Sequence, residues 1–368
     1  MRPRLVTIVY SPVGRGHLSA ARSIAAAIAQ ADPEVEVEVL DVLRFAPRGF
    51  RYDLAWRFIQ RHGGRFWDWL FDFTDRPAPG PVRSLREGLN ARLLRPLADE
   101  LLRRQPDHVV CTHFLPAVAV ARLACADRLR GRASVVVTDH LPHQAWLYPG
   151  IARYYVATDA VARTLVARGV SRAAVVVTGI PVAPEMAASR LPLSIAPGQR
   201  LRVLFLAPGV PAGLLRASLA SISPDVNLTL EIVAGDDGRL ERRLRQWTAE
   251  RGLRANVHGL LPSLRPLMDA AHVVVTKAGG LVVSECLARG RALLFPWPAP
   301  GQERGNRSHA IAAGAAIALD DPRDLGGVLA ELSPRPTRVA ELGRAAASAA
   351  TVDAAARIAR DLIASAAP

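Results

Sequence analysis

Apolar and polar positions along this chain fall into short blocks that alternate in kind. Leu5–Tyr10, Leu201–Leu206, Val273–Val275 and Ala292–Phe295 are short, mostly apolar runs, β-branched throughout at Val273–Val275, that read as strands. The same reading applies to 107–113, 132–138, 154–158, 175–181 and 230–234. Residues 34–40 alternate acidic with apolar positions, which predicts a strand with one solvated face. Between these blocks lie stretches of helical composition, at 18–28, 159–168, 338–350 and 353–366. Strand and helix in alternation predict an α/β protein.

The pattern fades once in mid-chain, where 182–200 is rich in Pro, Ala and Ser and shows no clear period. The domains expected are therefore 1–182 and 201–351 joined by a linker at 183–200, and 368 residues suit two domains of ordinary size. The first run, at Leu5–Tyr10, is too short for a signal segment or a span and reads as a first strand. No later run reaches the roughly 18 apolar residues of a membrane helix, so any membrane contact is expected to be peripheral.

Composition adds charge to this picture. Hydrophobic residues make up 50% and charged residues 22%, enough for packed cores. The net charge is +14, and Lys277 is the only lysine among 47 basic side chains. An arginine excess beside abundant alanine often follows genomic base composition, yet a basic surface still attracts anionic partners. No nucleic-acid-binding module accompanies it, so nucleic acid is not expected as a partner. Cys111, Cys125 and Cys286 have no metal-ligand spacing and are odd in number, which suits a reducing, cytoplasmic setting.

The aromatic residues are unevenly spread. Residues 44–104 carry 13 arginines against 7 acidic side chains, and their first part holds Trp56, Trp67 and Trp69 among many phenylalanines, while the whole chain is only 5% aromatic. Rings interleaved with arginines suit the boundary between lipid headgroups and acyl chains. The same residues also fit the core of a helical subdomain.

Candidate chemistry lies where strands hand over to helices. The run Val273–Val275 stops at Thr276-Lys277-Ala278-Gly279-Gly280, and helix-forming sequence comes next. Free N–H groups and the positive dipole end of a helix favour an anion such as a phosphate at such a turn. Glu285, further into that helix, is placed to accept hydrogen bonds from the vicinal hydroxyls of a ribose. Gln302, Glu303 and Asn306 come after the strand Ala292–Phe295 and are candidates to read a sugar. His17 ends the first strand–helix turn, Gly14-Arg15-Gly16-His17, where the dipole keeps an imidazole neutral and able to take a proton. Asp139 comes just after another strand, as base, partner of the base, or turn cap.

The array Lys277, Gly279-Gly280, Ser284-Glu285, Pro300-Gly301-Gln302-Glu303 and Asn306 resembles the donor-sugar signature of the diacylglycerol glycosyltransferases. These enzymes make monogalactosyl- or glucosyl-diacylglycerol and are grouped with the lipid II-forming N-acetylglucosaminyltransferase. Thr138-Asp139 with His143 and Trp146 resembles them too. The resemblance implies the GT-B fold, an α/β architecture of two Rossmann-like domains facing across a cleft, with a C-terminal helix at about 352–368 returning to the first domain. It further implies a UDP-sugar donor held at Gly16, Gly209, Leu260, Lys277, Gly279, Gly280, Glu285, Gln302, Glu303 and Asn306. His17 and Asp139 become the catalytic pair. His143, Trp146, Trp56, Trp67 and Trp69 face a lipid acceptor, diacylglycerol above all, on an anionic inner membrane surface. Lacking an Asp-x-Asp motif, the chain is expected to need neither metal nor other cofactor. The loop 207–213 departs from the family, with less glycine and no polar side chain. A polyprenyl or soluble acceptor, an epimerase and a non-catalytic nucleotide-sugar binder remain as alternatives.

Overall fold

The computed structural model describes residues 5–47, 64–76, 88, 92–188, 195–196 and 198–365. Two compact units emerge, one containing Asp68–Pro184 and the chain from Thr351 onward, the other Glu185–Ala350. Each is a six-stranded sheet whose strands all run parallel, with helices in the connections.

Unit 1 contains β1 (Leu5–Tyr10), β2 (Glu36–Asp41), β3 (His108–Cys111), β4 (Arg132–Val136), β5 (Arg153–Val156) and β6 (Val175–Val177). Their order in the sheet is β2-β1-β3-β4-β5-β6. β3 is wholly buried, while β2, with its alternating acids, is the edge strand and keeps partial exposure. The chain goes from β1 outward to β2 and then returns to the other side of β1. Connections diverge there, so the carboxyl ends of β1 and β3 flank a crevice, the usual ligand position in an open α/β sheet.

Unit 2 repeats the plan with β7 (Leu201–Leu206), β8 (Leu228–Val233), β9 (Ala255–His258), β10 (Val273–Val275), β11 (Ala292–Phe295) and β12 (Ala316–Ala318). The order β12-β11-β10-β7-β8-β9 puts its switch point between β7 and β10. The turn at Lys277 and the loop at Gly209 therefore open from neighbouring strands.

Six helices carry or support the candidate residues: α1 (Arg15–Ala31), α2 (Gly64–Thr74), α3 (Phe114–Cys125), α4 (Gly280–Arg289), α5 (Glu303–Ala312) and α6 (Ala354–Ser365). α1 starts after Gly14, whose φ of 79° only glycine holds without strain. α6 returns to unit 1 and lies against α1, burying Ile358, Ala359 and Leu362 with Ile8, Ile24, Ile28 and Tyr155. Asp361 anchors it, accepting from the Tyr155 hydroxyl at 2.8 Å and lying 3.4 Å from Arg153. The returning chain passes tightly over Gly179, where a Cβ would come within 2.6 Å of Thr351. Among the described residues, no helix is long and apolar enough to cross a membrane.

Candidate active site

At the switch point of unit 1, the half-buried His17 sits in the first turn of α1. Its Nδ1 lies 2.7 Å from the carbonyl oxygen of Thr112, just past β3, and 3.4 Å from the Thr138 hydroxyl, just past β4. The Thr112 hydroxyl donates back to the His17 carbonyl at 3.0 Å. His113 packs edge-on against the imidazole at 4.5 Å between centroids. Burial lowers the His17 pKa to about 4, with the Thr112 carbonyl opposing the shift, so the ring is neutral near pH 7. His113 is held well below the ordinary histidine range by burial and then by His17.

The other unit 1 candidates have different surroundings. Asp139 and Trp146 belong to the loop after β4, and Trp146 is only 3% exposed. It packs near His113 and edge-on to Phe114, which removes it from the expected lipid-facing surface. His143 points at the end of α2: its Nε2 is 3.1 Å from both the Phe71 carbonyl and the Thr74 hydroxyl. Asp75 completes this junction, accepting from the Gln144 amide at 2.6 Å and from both terminal nitrogens of Arg168 at 2.8 Å. His143 thus ties α2 to the loop. On α2 itself Phe66, Trp69 and Phe73 are exposed and fall at helical spacing, with Trp69 stacked on Phe73 at 5.3 Å. Trp67 is half-buried, and Trp56 lies outside the described residues.

In unit 2, Thr276–Gly279 link β10 to α4. Gly279, the N-cap, has an ordinary φ of −71° and no side-chain hydrogen bond caps the helix. What glycine contributes here is bare backbone rather than an unusual conformation. Lys277 Nζ meets Glu303 Oε1 at 2.7 Å, so two residues of the motif, 26 positions apart, form one ion pair at the turn. Asn306 is fully buried in α5 and donates to the Ala278 carbonyl at 3.0 Å, which makes it a support beneath the turn rather than a surface for sugar. The buried Gln302 Oε1 has no hydrogen-bond partner, a costly state that a ligand hydroxyl would relieve. Gly209 and Leu260 stay exposed on the loops after β7 and β9. Glu285 is 8% exposed, and burial, with the charge of Glu185 second, raises its carboxyl to about 7.

Residues 17–182 match the family model described as monogalactosyldiacylglycerol (MGDG) synthase. A processive diacylglycerol β-glucosyltransferase of Staphylococcus carnosus is 27% identical over 263 residues, covering 68% of this chain and 65% of its own. The chloroplastic monogalactosyldiacylglycerol synthase of Spinacia oleracea is 24% identical over 392 residues, covering 98% of this chain and 72% of its own. The chain is thus similar in sequence to diacylglycerol glycosyltransferases. Its alignment spans about two-thirds or less of the glucosyltransferases, at 65% of one from S. carnosus and 59% of one from Bacillus subtilis. Among solved structures, MurG of Acinetobacter baumannii has a TM-score of 0.61 at 14% identity, covering 98% of this chain and 100% of its own. A UDP-GlcNAc 2-epimerase from Neisseria meningitidis, solved with UDP-GlcNAc, has 0.60 at 13% with the same coverage. At these identities the likeness is one of fold, and that fold is GT-B.

Sequence reasoning did not single out Thr112, Asp75 or Arg168, and it named Thr138 only as the neighbour of Asp139. Thr112 and Thr138 come just after strands, and only strand order puts both beside His17. Asp75 and Arg168 are 93 residues apart and carry no local signal.

Proposed function

We propose that the protein is an inverting glycosyltransferase that moves a hexose from a UDP-sugar to the hydroxyl of diacylglycerol. The observation that carries the acceptor class is the match of residues 17–182 to the monogalactosyldiacylglycerol synthase family model. Unit 2 holds the donor. Amides at the uncapped start of α4 and the Lys277 ammonium take the diphosphate, Glu285 takes the ribose, and Gln302 and Glu303 meet the sugar. The acceptor oxygen attacks the anomeric carbon as the bond to UDP breaks, and His17 takes the hydroxyl proton. Charge developing on the leaving diphosphate is met by those amides and that ammonium, without a metal ion.

The protein works from the aqueous side of an anionic bilayer, on the cytoplasmic face, and α2 is its contact. Exposed rings at helical spacing support this, because aromatic side chains settle at the interface between headgroups and acyl chains.

Purified protein incubated with diacylglycerol vesicles and a panel of UDP-sugars tests the proposal, with mass analysis of the lipids. A glycosyl-diacylglycerol product is expected. No lipid product, with the free UDP-sugar converted to an epimer, would overturn it in favour of an epimerase. A glycosylated polyprenyl or soluble acceptor in its place would keep the transferase and change the acceptor.

A further inference from the structure

Two histidines meet at the switch point of unit 1, and their hydrogen bonds sort their protons. A carbonyl oxygen only accepts, so the 2.7 Å contact from His17 Nδ1 to the Thr112 carbonyl requires hydrogen on Nδ1. A lone pair there would oppose the carbonyl's own lone pairs at contact distance. The competing partner, the Thr138 hydroxyl, stands at 3.4 Å, beyond the usual hydrogen-bond range. His113 shows the reverse. Its Nδ1 accepts the Leu115 amide at 3.0 Å, so in the neutral ring the hydrogen is on Nε2. Thr112 and His17, 95 residues apart, are joined in both directions, since the Thr112 hydroxyl donates to the His17 carbonyl.

We propose that Thr112 is the positioning residue for the base: its carbonyl holds His17 in the Nδ1–H tautomer and leaves the lone pair on Nε2, while its hydroxyl fixes the first turn of α1 against the end of β3. A triad usually assigns this task to a carboxylate. A carbonyl fixes the tautomer equally well but provides no full countercharge to an imidazolium. His113, edge-on at 87° and in the opposite tautomer, walls the ring so that it does not swing. The positioning role rests on the reading of His17 as the base; the tautomer assignment does not.

Ring ¹⁵N spectra of the wild-type protein at pH 7, assigned with His17→Gln and His113→Gln, test the tautomers. The expected result is hydrogen on Nδ1 of His17 and on Nε2 of His113. Hydrogen on Nε2 of His17 would overturn the assignment. Thr112→Val removes the hydroxyl and keeps the carbonyl. It should lower kcat about tenfold, the loss matching one hydrogen bond, with KM for the UDP-sugar nearly unchanged and the His17 hydrogen still on Nδ1. Thr112→Ser should restore most of the rate. A wild-type kcat in Thr112→Val, or an equal loss of donor affinity, would remove Thr112 from the positioning role. A wild-type protein that transfers no sugar at all fails the functional reading, and the spectra still decide the tautomers.

Discussion

Burial shifts His17 down to about 4 and Glu285 up to about 7, so the two groups respond to pH in separate windows. His17 is neutral through the range in which Glu285 titrates. His17→Ala should cut transfer by about the 10²–10⁴-fold typical of a general base and leave UDP affinity near wild type, measured by kinetics and calorimetry. Glu285 behaves differently. Because its pKa in the empty protein is raised, it holds a proton over part of the population at pH 7 and over more of it at pH 6. Ribose hydroxyls donate to a carboxylate, so bound UDP should expel that proton. UDP affinity should therefore rise from pH 6 to pH 8, with proton release at pH 6 that fades by pH 8. Calorimetry in buffers of different ionisation enthalpy reads the release directly, and Glu285→Gln should abolish it. Persistent release in that variant would assign the proton to another group. His17 and Lys277 were legible in the sequence because each lies in the turn after a β-branched run. The burial of Asn306 and Trp146 was not, since it depends on packing against Ala278 and Phe114.

At the scale of elements, strand composition was informative almost to the residue for β1, β7, β10 and β11, whose runs are dominated by apolar side chains. Strand order was not, because it is set by crossovers that local periodicity does not record. The helix α2 shows the limit on the aromatic segment. Its pattern distinguished no lipid-facing ring from a buried one, whereas the structure exposes Phe66, Trp69 and Phe73 and buries Phe71. Trp69→Ala with Phe73→Ala should reduce sedimentation with anionic vesicles and lower glycolipid synthesis without loss of UDP affinity. Binding by the wild type should weaken at high salt as the arginine contribution is screened. Vesicle binding unchanged in the double variant would show that another surface meets the bilayer. The Asp75–Arg168 ion pair and the His143 contacts set how far α2 is independent of the loop carrying Asp139.

For the whole molecule, alternation gave the α/β class, while the expectation of two domains rested on chain length, the aperiodic stretch 182–200 and the family resemblance, which also implied the return of the last helix. That helix is built into the core of unit 1, with Ile358 fully buried and Leu362 1% exposed. Leu362→Ala should destabilise unit 1 by about 2–5 kcal/mol, as for other buried leucines. Denaturant melting monitored by tyrosine or tryptophan signals should show a lowered midpoint for that unit, while UDP binding by unit 2 survives. A loss of UDP binding in parallel would mean that the two units unfold as one.

The return of α6 also orders events during synthesis. A ribosome releases β1 to β6 early, then β7 to β12 of unit 2, and only afterwards the helix that covers Ile24, Ile28 and Tyr155. Unit 1 must wait with that apolar strip uncovered while the sheet of unit 2, carried by the single stretch Glu185–Ala350, is free to form at once. At about 5–20 residues per second the delay is roughly ten seconds or more. Over that interval the nascent chain presents a surface for chaperones, and the half translated first is the half completed last.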